Sequence, residues 1–201
     1  LEKWMVSTVG PRFAVVLGEY GIGKTTLLQM FAKAWNAKEP QDPIRPQLFY
    51  VDLRAYIPDI RAGKPVEVEE LLRQCLKQSQ SGASKILTPK RIIEAVRTKN
   101  AVLIFDGLDE QMTHLDQAGG KAFMRALWDV VEPHETFGEN PSPNVGRLIF
   151  SCRSHFFKSI SDFASTMKGH EGTLVKETDY RYIHLLPFDE DQIQEYLVKA
   201  L

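Results

Sequence analysis

Two cysteines in 201 residues, Cys75 and Cys152, supply neither a metal-ligand spacing nor a disulfide framework. Both are read as core or surface thiols, and the chain is expected in a reducing compartment. Also absent is any apolar run approaching the ~18 residues of a membrane-spanning helix, and the first residues lack the basic-then-apolar pattern of a secretory leader. A cytoplasmic domain with no membrane partner is expected. Charge of one sign is missing too. Twenty-five lysines and arginines against 26 aspartates and glutamates leave a formal net charge of −1, so bulk electrostatics gives no reason to expect direct binding of nucleic acid. The chain contains no internal repeat and no low-complexity tract.

What is present is an ordinary globular composition, 43% hydrophobic and 25% charged, enough for one α/β domain with a sizeable core and the start of a second. Leu1 stands where a start methionine would be and the last residues lie inside a helical pattern, so the chain reads as a piece of a longer one.

Apolar periodicity alternates along the sequence. Strands are expected at residues 12–18 (RFAVVLG), 47–53 (QLFYVDL), 101–106 (AVLIFD), 147–152 (RLIFSC) and 180–186 (YRYIHLL). Helices are expected at 23–36, 66–78, 89–97, 121–131 and 189–201, the last opened by a capping box of Asp189 and Gln192. Residues 132–146 read as a polar, proline-rich loop and 169–178 as irregular or a small hairpin. Strands alternating with helices imply a doubly wound, five-stranded parallel sheet with helices on both faces.

Three segments carry chemistry. The first, between the first strand and the first helix, is Gly18-Glu19-Tyr20-Gly21-Ile22-Gly23-Lys24-Thr25, followed by Thr26. It matches G-x-x-x-x-G-K-[ST] in the strand-to-helix context that a phosphate-binding loop requires. The glycines let successive N–H groups turn inward, and the helix dipole adds to the same anion site. Lys24 is placed to reach the β- and γ-phosphates, and the Thr25 hydroxyl to bind Mg²⁺.

The second is AVLIFDGLDE, residues 101–110, where an apolar strand delivers Asp106 to the carboxyl edge of the sheet as the expected Mg²⁺ partner. The chain turns at Gly107 and Leu108 and brings Asp109 and Glu110 back toward the same cation. One of these orients or deprotonates the attacking water, although Glu110 also fits a helix cap. The third is RLIFSCRSHFF, where Arg153 directly follows a strand and its planar fork of donors suits a γ-phosphate. A surface salt bridge is the competing role for Arg153, and His155 is left outside the catalytic set.

The phosphate loop, FDGLDE, FSCRSHFF and then LLPFDEDQIQEYL together resemble the NACHT domain of the STAND class of signalling P-loop NTPases, over nearly the whole chain. The resemblance implies an ATP/ADP-binding switch ATPase of a cytosolic signal-transduction or defence protein, closed with ADP and open and self-associating with ATP. It implies that Lys24, Thr25 and Asp106 hold phosphate and Mg²⁺, that Asp109 with Glu110 supports slow hydrolysis, and that Arg153 reads the γ-phosphate. Pro187 resembles the proline that packs on the base. It further implies a nucleotide-binding domain over 1–187, with 188–201 as the truncated first helix of a helical lid. Winged-helix, effector and repeat sensor domains are implied elsewhere in the same chain.

No Asn-Lys-x-Asp string occurs, which removes the guanine-reading device of GTPases and favours adenine. An AAA+ remodelling motor would place glutamate directly after the Mg²⁺ aspartate, where this chain has Gly107. A small-molecule kinase shares the loop and the Mg²⁺ carboxylate and stays open, although the chain shows no arginine-rich lid. An AAA+-type remodelling ATPase and a nucleotide-gated interaction module with negligible turnover also stay open as alternatives, and ATP consumption with and without phosphoryl acceptors separates these classes.

Overall fold

The computed structural model describes residues 1–7, 10–38, 45–57, 66–79, 87–98, 101–131, 146–156 and 180–200. Five strands form one sheet: β1 (Phe13–Leu17), β2 (Leu48–Asp52), β3 (Val102–Asp106), β4 (Arg147–Cys152) and β5 (Tyr180–His184). The helices whose full range lies among the described residues are α1 (Glu2–Met5), α2 (Lys24–Ala37), α3 (Val68–Ser79), α4 (Pro89–Thr98), α5 (Leu108–Met112), α6 (Gln117–Trp128) and α7 (Glu190–Ala200). A 3-10 turn, Leu53–Ala55, follows β2.

All strand pairs are parallel, in the order β2-β3-β4-β1-β5. The side-chain period of two divides the sheet into two apolar faces. Phe13, Val15, Leu17, Leu103, Phe105, Leu148 and Phe150 point into a core completed by Leu71, Leu72, Ile92 and Val96 of α3 and α4 and by Phe123 and Leu127 of α6. Ala14, Val16, Val102, Ile104 and Ile149 point to the other side, where Leu28, Ala32 and Trp35 of α2 and Trp4 and Met5 of α1 cover them. Strands β1 and β3 are buried from end to end, as helices on both faces require. Because every strand runs the same way, the ends of β1, β3, β4 and β5 gather at one edge.

Element ends differ from the sequence expectations where local chemistry is weak. The helix expected at 121–131 begins at Gln117 instead: the Asp116 side chain accepts from Gly119 N at 2.7 Å, a cap that the adjacent Gly119 and Gly120 conceal from periodicity. Strand β5 ends at His184 rather than 186, and α1 was not expected. The helix α7 keeps its capping box, with Gln192 N donating to Asp189 Oδ1 at 2.8 Å and Asp189 N to Gln192 Oε1 at 3.1 Å. The loop at 132–145 and the segment 169–178 lie outside the described residues.

Arg147, the first residue of β4, anchors α1. Its guanidinium donates to Met5 O at 3.1 Å and to Ser7 O, and it lies 5.6 Å from the Trp4 ring. Trp4 Nε1 in turn donates to Pro11 O at 2.7 Å. Among the described residues no helix is long and apolar enough to cross a membrane.

Candidate functional site

Residues 18–23 bridge the end of β1 and the start of α2. Gly21 (φ 76°) and Gly23 (φ 95°) are left-handed, a backbone that L side chains resist, and a Cβ added to either meets nothing within 4 Å. The restriction is therefore in the backbone, and the space beside both glycines is open. Gly23 is the N-cap of α2 and offers no side chain to cap it, so the first-turn N–H groups remain available to an anion. Lys24 Nζ donates to Gly18 O at 2.8 Å and to Glu19 O at 3.0 Å. These bonds hold the ammonium inside the loop and leave one of its three N–H groups for a phosphate oxygen. The loop fits a nucleotide phosphate. Glu19, Tyr20 and Thr26 are exposed, and Ile22 and Thr25 are half-buried.

Asp106 ends β3 between two neighbouring strands that each contribute a hydroxyl. Tyr50 Oη donates to Asp106 Oδ2 at 2.7 Å, and Ser151 Oγ donates to Oδ1. Gly107 N donates to Ser151 Oγ at 2.8 Å, which fixes that hydroxyl. Burial first, then the bond to Asp106, raises the Tyr50 phenol above its ordinary range, so it remains a donor. Asp106 is 1% exposed, yet among the described residues no lysine or arginine forms an ion pair with it. A buried acid held by two neutral hydroxyls fits a cation brought in from outside, such as Mg²⁺.

Past Asp106, Gly107 (φ 85°) turns the chain into α5 as its N-cap. A Cβ there would stand 3.3 Å from Arg54 Cγ, so both strain and crowding oppose a side chain. Arg54 forks onto Asp52, with Nε to Oδ1 at 2.7 Å and Nη2 to Oδ2 at 2.6 Å, and this bonding holds the guanidinium above its ordinary range. Gln111 Nε2 donates to Leu53 O at 2.7 Å and ties α5 to the 3-10 turn.

Asp109 and Glu110, both in the first turn of α5, have different surroundings. Asp109 is 4% exposed and pairs with Arg153, whose Nε lies 2.8 Å from Oδ2. The Arg153 guanidinium also lies 5.1 Å from the ring of Tyr20, in the phosphate loop. Glu110 is half-buried, and among the described residues nothing donates to its carboxylate. Thus the structure joins Asp109, Arg153 and Tyr20, while Glu110 stays apart. Next to Arg153, burial pushes the Cys152 thiol far up, so it is an inert core group. Pro187 is exposed on the strand exit after Leu185, whose carbonyl oxygen lies 3.2 Å from a Cβ built on Gly18.

Tyr50, Ser151, Gln29 and the Arg54–Asp52 fork were missed by sequence reasoning. A lone serine inside the apolar RLIFSC strand was a usable signal. Tyr50 was not, because aromatic residues are common in strands.

A parallel sheet with this loop at one strand end and a buried acid at another is a P-loop nucleotide-binding fold. The family model of the NACHT domain matches residues 12–201, and the chain belongs to that family. No curated protein matches the sequence. Among solved structures, the chain is similar to Saccharomyces cerevisiae Hsp104 in a casein complex (13% identity, TM-score 0.51), over 98% of this chain and 28% of that one. It is also similar to the Aeropyrum pernix ORC2 protein in its ADPNP-ADP complexes (14% identity, TM-score 0.45), over 94% of this chain and 44% of that one. The chain thus spans less than half of either protein.

Proposed function

We propose that this chain is the adenine-nucleotide switch of a cytoplasmic signalling or defence protein, binding ATP with Mg²⁺ and hydrolysing it slowly. The observation that carries the reading is the buried Asp106, without a lysine or arginine ion pair among the described residues, on the α2 face of the sheet and at the same edge as an uncapped phosphate loop, in a chain of the NACHT family. Lys24 and the N–H groups of residues 21–26 bind the phosphates. Thr25 and Asp106 would hold the metal, with the Tyr50 and Ser151 hydroxyls orienting the Asp106 carboxylate. Magnesium, when bound, neutralises charge that develops on the β- and γ-phosphates. Pro187 packs on the adenine.

Glu110 is the better base, since among the described residues nothing donates a hydrogen bond to its carboxylate, and it takes a proton from the attacking water. Asp109 holds Arg153 until a γ-phosphate competes for the guanidinium. Arg153 then leaves Asp109 and Tyr20 and stabilises the phosphate charge. That exchange is a local event a switch can transmit, because it breaks the Asp109–Arg153–Tyr20 link between α5 and the phosphate loop. ATP favours an open, self-associating form of the longer protein, and ADP a form closed by its helical and winged-helix domains. Effector and repeat sensor domains of the same chain set input and output.

One observation favours a second reading. With Asp109 already neutralised by Arg153, the domain also suits a nucleotide-gated module with negligible turnover. Titration calorimetry with ATP and GTP, with phosphate release from the same samples, tests both. Adenine preference with slow release supports the switch, tight ATP binding without release supports the module, and guanine preference overturns both.

A further inference from the structure

We infer that Tyr50 is a positioning residue that sets the spacing between Thr25 and Asp106, with Gln29 as its relay. The inference rests on the Mg²⁺-nucleotide reading above and extends it to two residues outside the phosphate loop and the acidic segment.

The argument begins with register. Tyr50 pairs with Ile104 across β2 and β3, and Asp106 lies two residues further along β3, hence on the same sheet face. The phenol spans that offset and donates to Asp106 Oδ2 at 2.7 Å. This face is the one covered by α2. Gln29 lies four residues after Thr25 on α2, one turn along the same helix face, and its Nε2 donates to Tyr50 Oη at 3.2 Å. A continuous chain therefore runs from the helix that carries Thr25, through Gln29 and Tyr50, to the carboxylate at the end of β3.

Neither proposed metal residue is linked to the other by secondary structure. Thr25 is in a helix and Asp106 in a strand, and the sheet order leaves β4 between β1, which leads into α2, and β3. The relay connects them across that gap. Ser151 also fixes Asp106, but on the other oxygen and from the β4 side, so it sets the carboxylate's plane without referring it to α2. Tyr50 adds that reference. Its hydroxyl accepts from Gln29 while donating to Asp106, a division of labour that phenylalanine cannot reproduce.

The test compares wild type, Tyr50→Phe, Gln29→Met and the double variant by calorimetric ATP affinity in EDTA and across a Mg²⁺ titration. Thermal melts verify folding, and exposed Gln29 provides a variant that spares the core. Loss of an outer hydrogen-bond partner of a metal ligand weakens metal binding by ten- to a hundredfold. Tyr50→Phe is expected to raise the Mg²⁺ concentration for half-maximal gain in affinity by about tenfold, leaving EDTA affinity unchanged. Gln29→Met is expected to shift it severalfold in the same direction. The double variant is expected to match Tyr50→Phe alone, because one chain is being cut twice.

An unaltered Mg²⁺ requirement in Tyr50→Phe overturns the positioning role, and so does an equal loss with and without Mg²⁺. Additive shifts in the double variant overturn the relay through Gln29. If wild type gains no affinity from Mg²⁺, the metal reading fails and the inference falls with it. A wild-type gain preserved intact in Tyr50→Phe refutes the inference alone.

Discussion

Lys24 is the cation inside the phosphate loop, bound to two backbone carbonyls and with one donor left for a ligand. A charge-assisted hydrogen bond contributes about 1.5–3 kcal/mol, so Lys24→Ala is expected to lower ATP affinity by roughly ten- to a hundredfold in calorimetry. The acids divide differently. Glu110→Gln is expected to retain ATP while phosphate release slows, whereas Asp106→Asn weakens binding only when Mg²⁺ is present. Asp109→Asn releases Arg153 from its partner, and turnover that rises or stays level identifies Asp109 as a holder of Arg153 rather than a base. Arg12 gives a test unrelated to nucleotide. Burial, with Arg147 adding repulsion, pushes its guanidinium down to about 10, and among the described residues its buried Nη1 has no hydrogen-bond partner. Between about pH 10 and the ordinary arginine range the unfolded chain binds more protons than the folded one, so this group's contribution to stability rises with pH there. At neutral pH the buried charge is a net cost. Arg12→Met is expected to raise the thermal midpoint by a few degrees at pH 7, and a lower midpoint would show that the charge has a partner.

At the scale of elements, legibility followed sequence distance. Residues 18–25 are contiguous and the flanking periods change from strand to helix, so the place of that loop between β1 and α2 was readable. The place of Asp106 at the end of β3 was readable because a single acid closes an apolar run. The Arg153–Asp109 pair joins the residue after β4 to α5, and Tyr50 and Ser151 meet Asp106, with Gln29 on Tyr50, only after three strands and a helix have assembled; no local pattern encodes such contacts. The start of α6 was hidden because two glycines with poor helix propensity follow a good cap. Helix α7 shows both sides of the matter: its capping box formed as expected, while Ile193, Tyr196 and Leu197, at helical spacing, lie 46%, 62% and 50% exposed. Extending the chain through the helices expected after it is predicted to cover this face and tighten ADP. Equal ADP affinity for the short chain and a folded, extended one would leave α7 as a terminal cap.

For the whole molecule, the sheet order was the least legible feature, because parallel pairing is decided by which helices fill which face and not by any one strand. Its placement of β1 has a consequence for synthesis. Phe13 pairs with Leu148 on one side and with Tyr180 on the other, so the strand leading into the phosphate loop emerges from the ribosome long before either neighbour. At 5–20 residues per second, that interval is on the order of ten seconds, and throughout it an apolar strand has both hydrogen-bonding edges unclaimed. Strands β2 and β3 meet much sooner. The nascent chain thus builds a half-sheet first and completes the half that carries the phosphate loop last, a high-contact-order route that exposes β1 to holding chaperones and to pairing with other nascent chains. Stalled chains released before residue 147 are expected to stay protease-sensitive in residues 13–37 and to gain nothing from ATP, and protection there should appear only once β4 and β5 have been made.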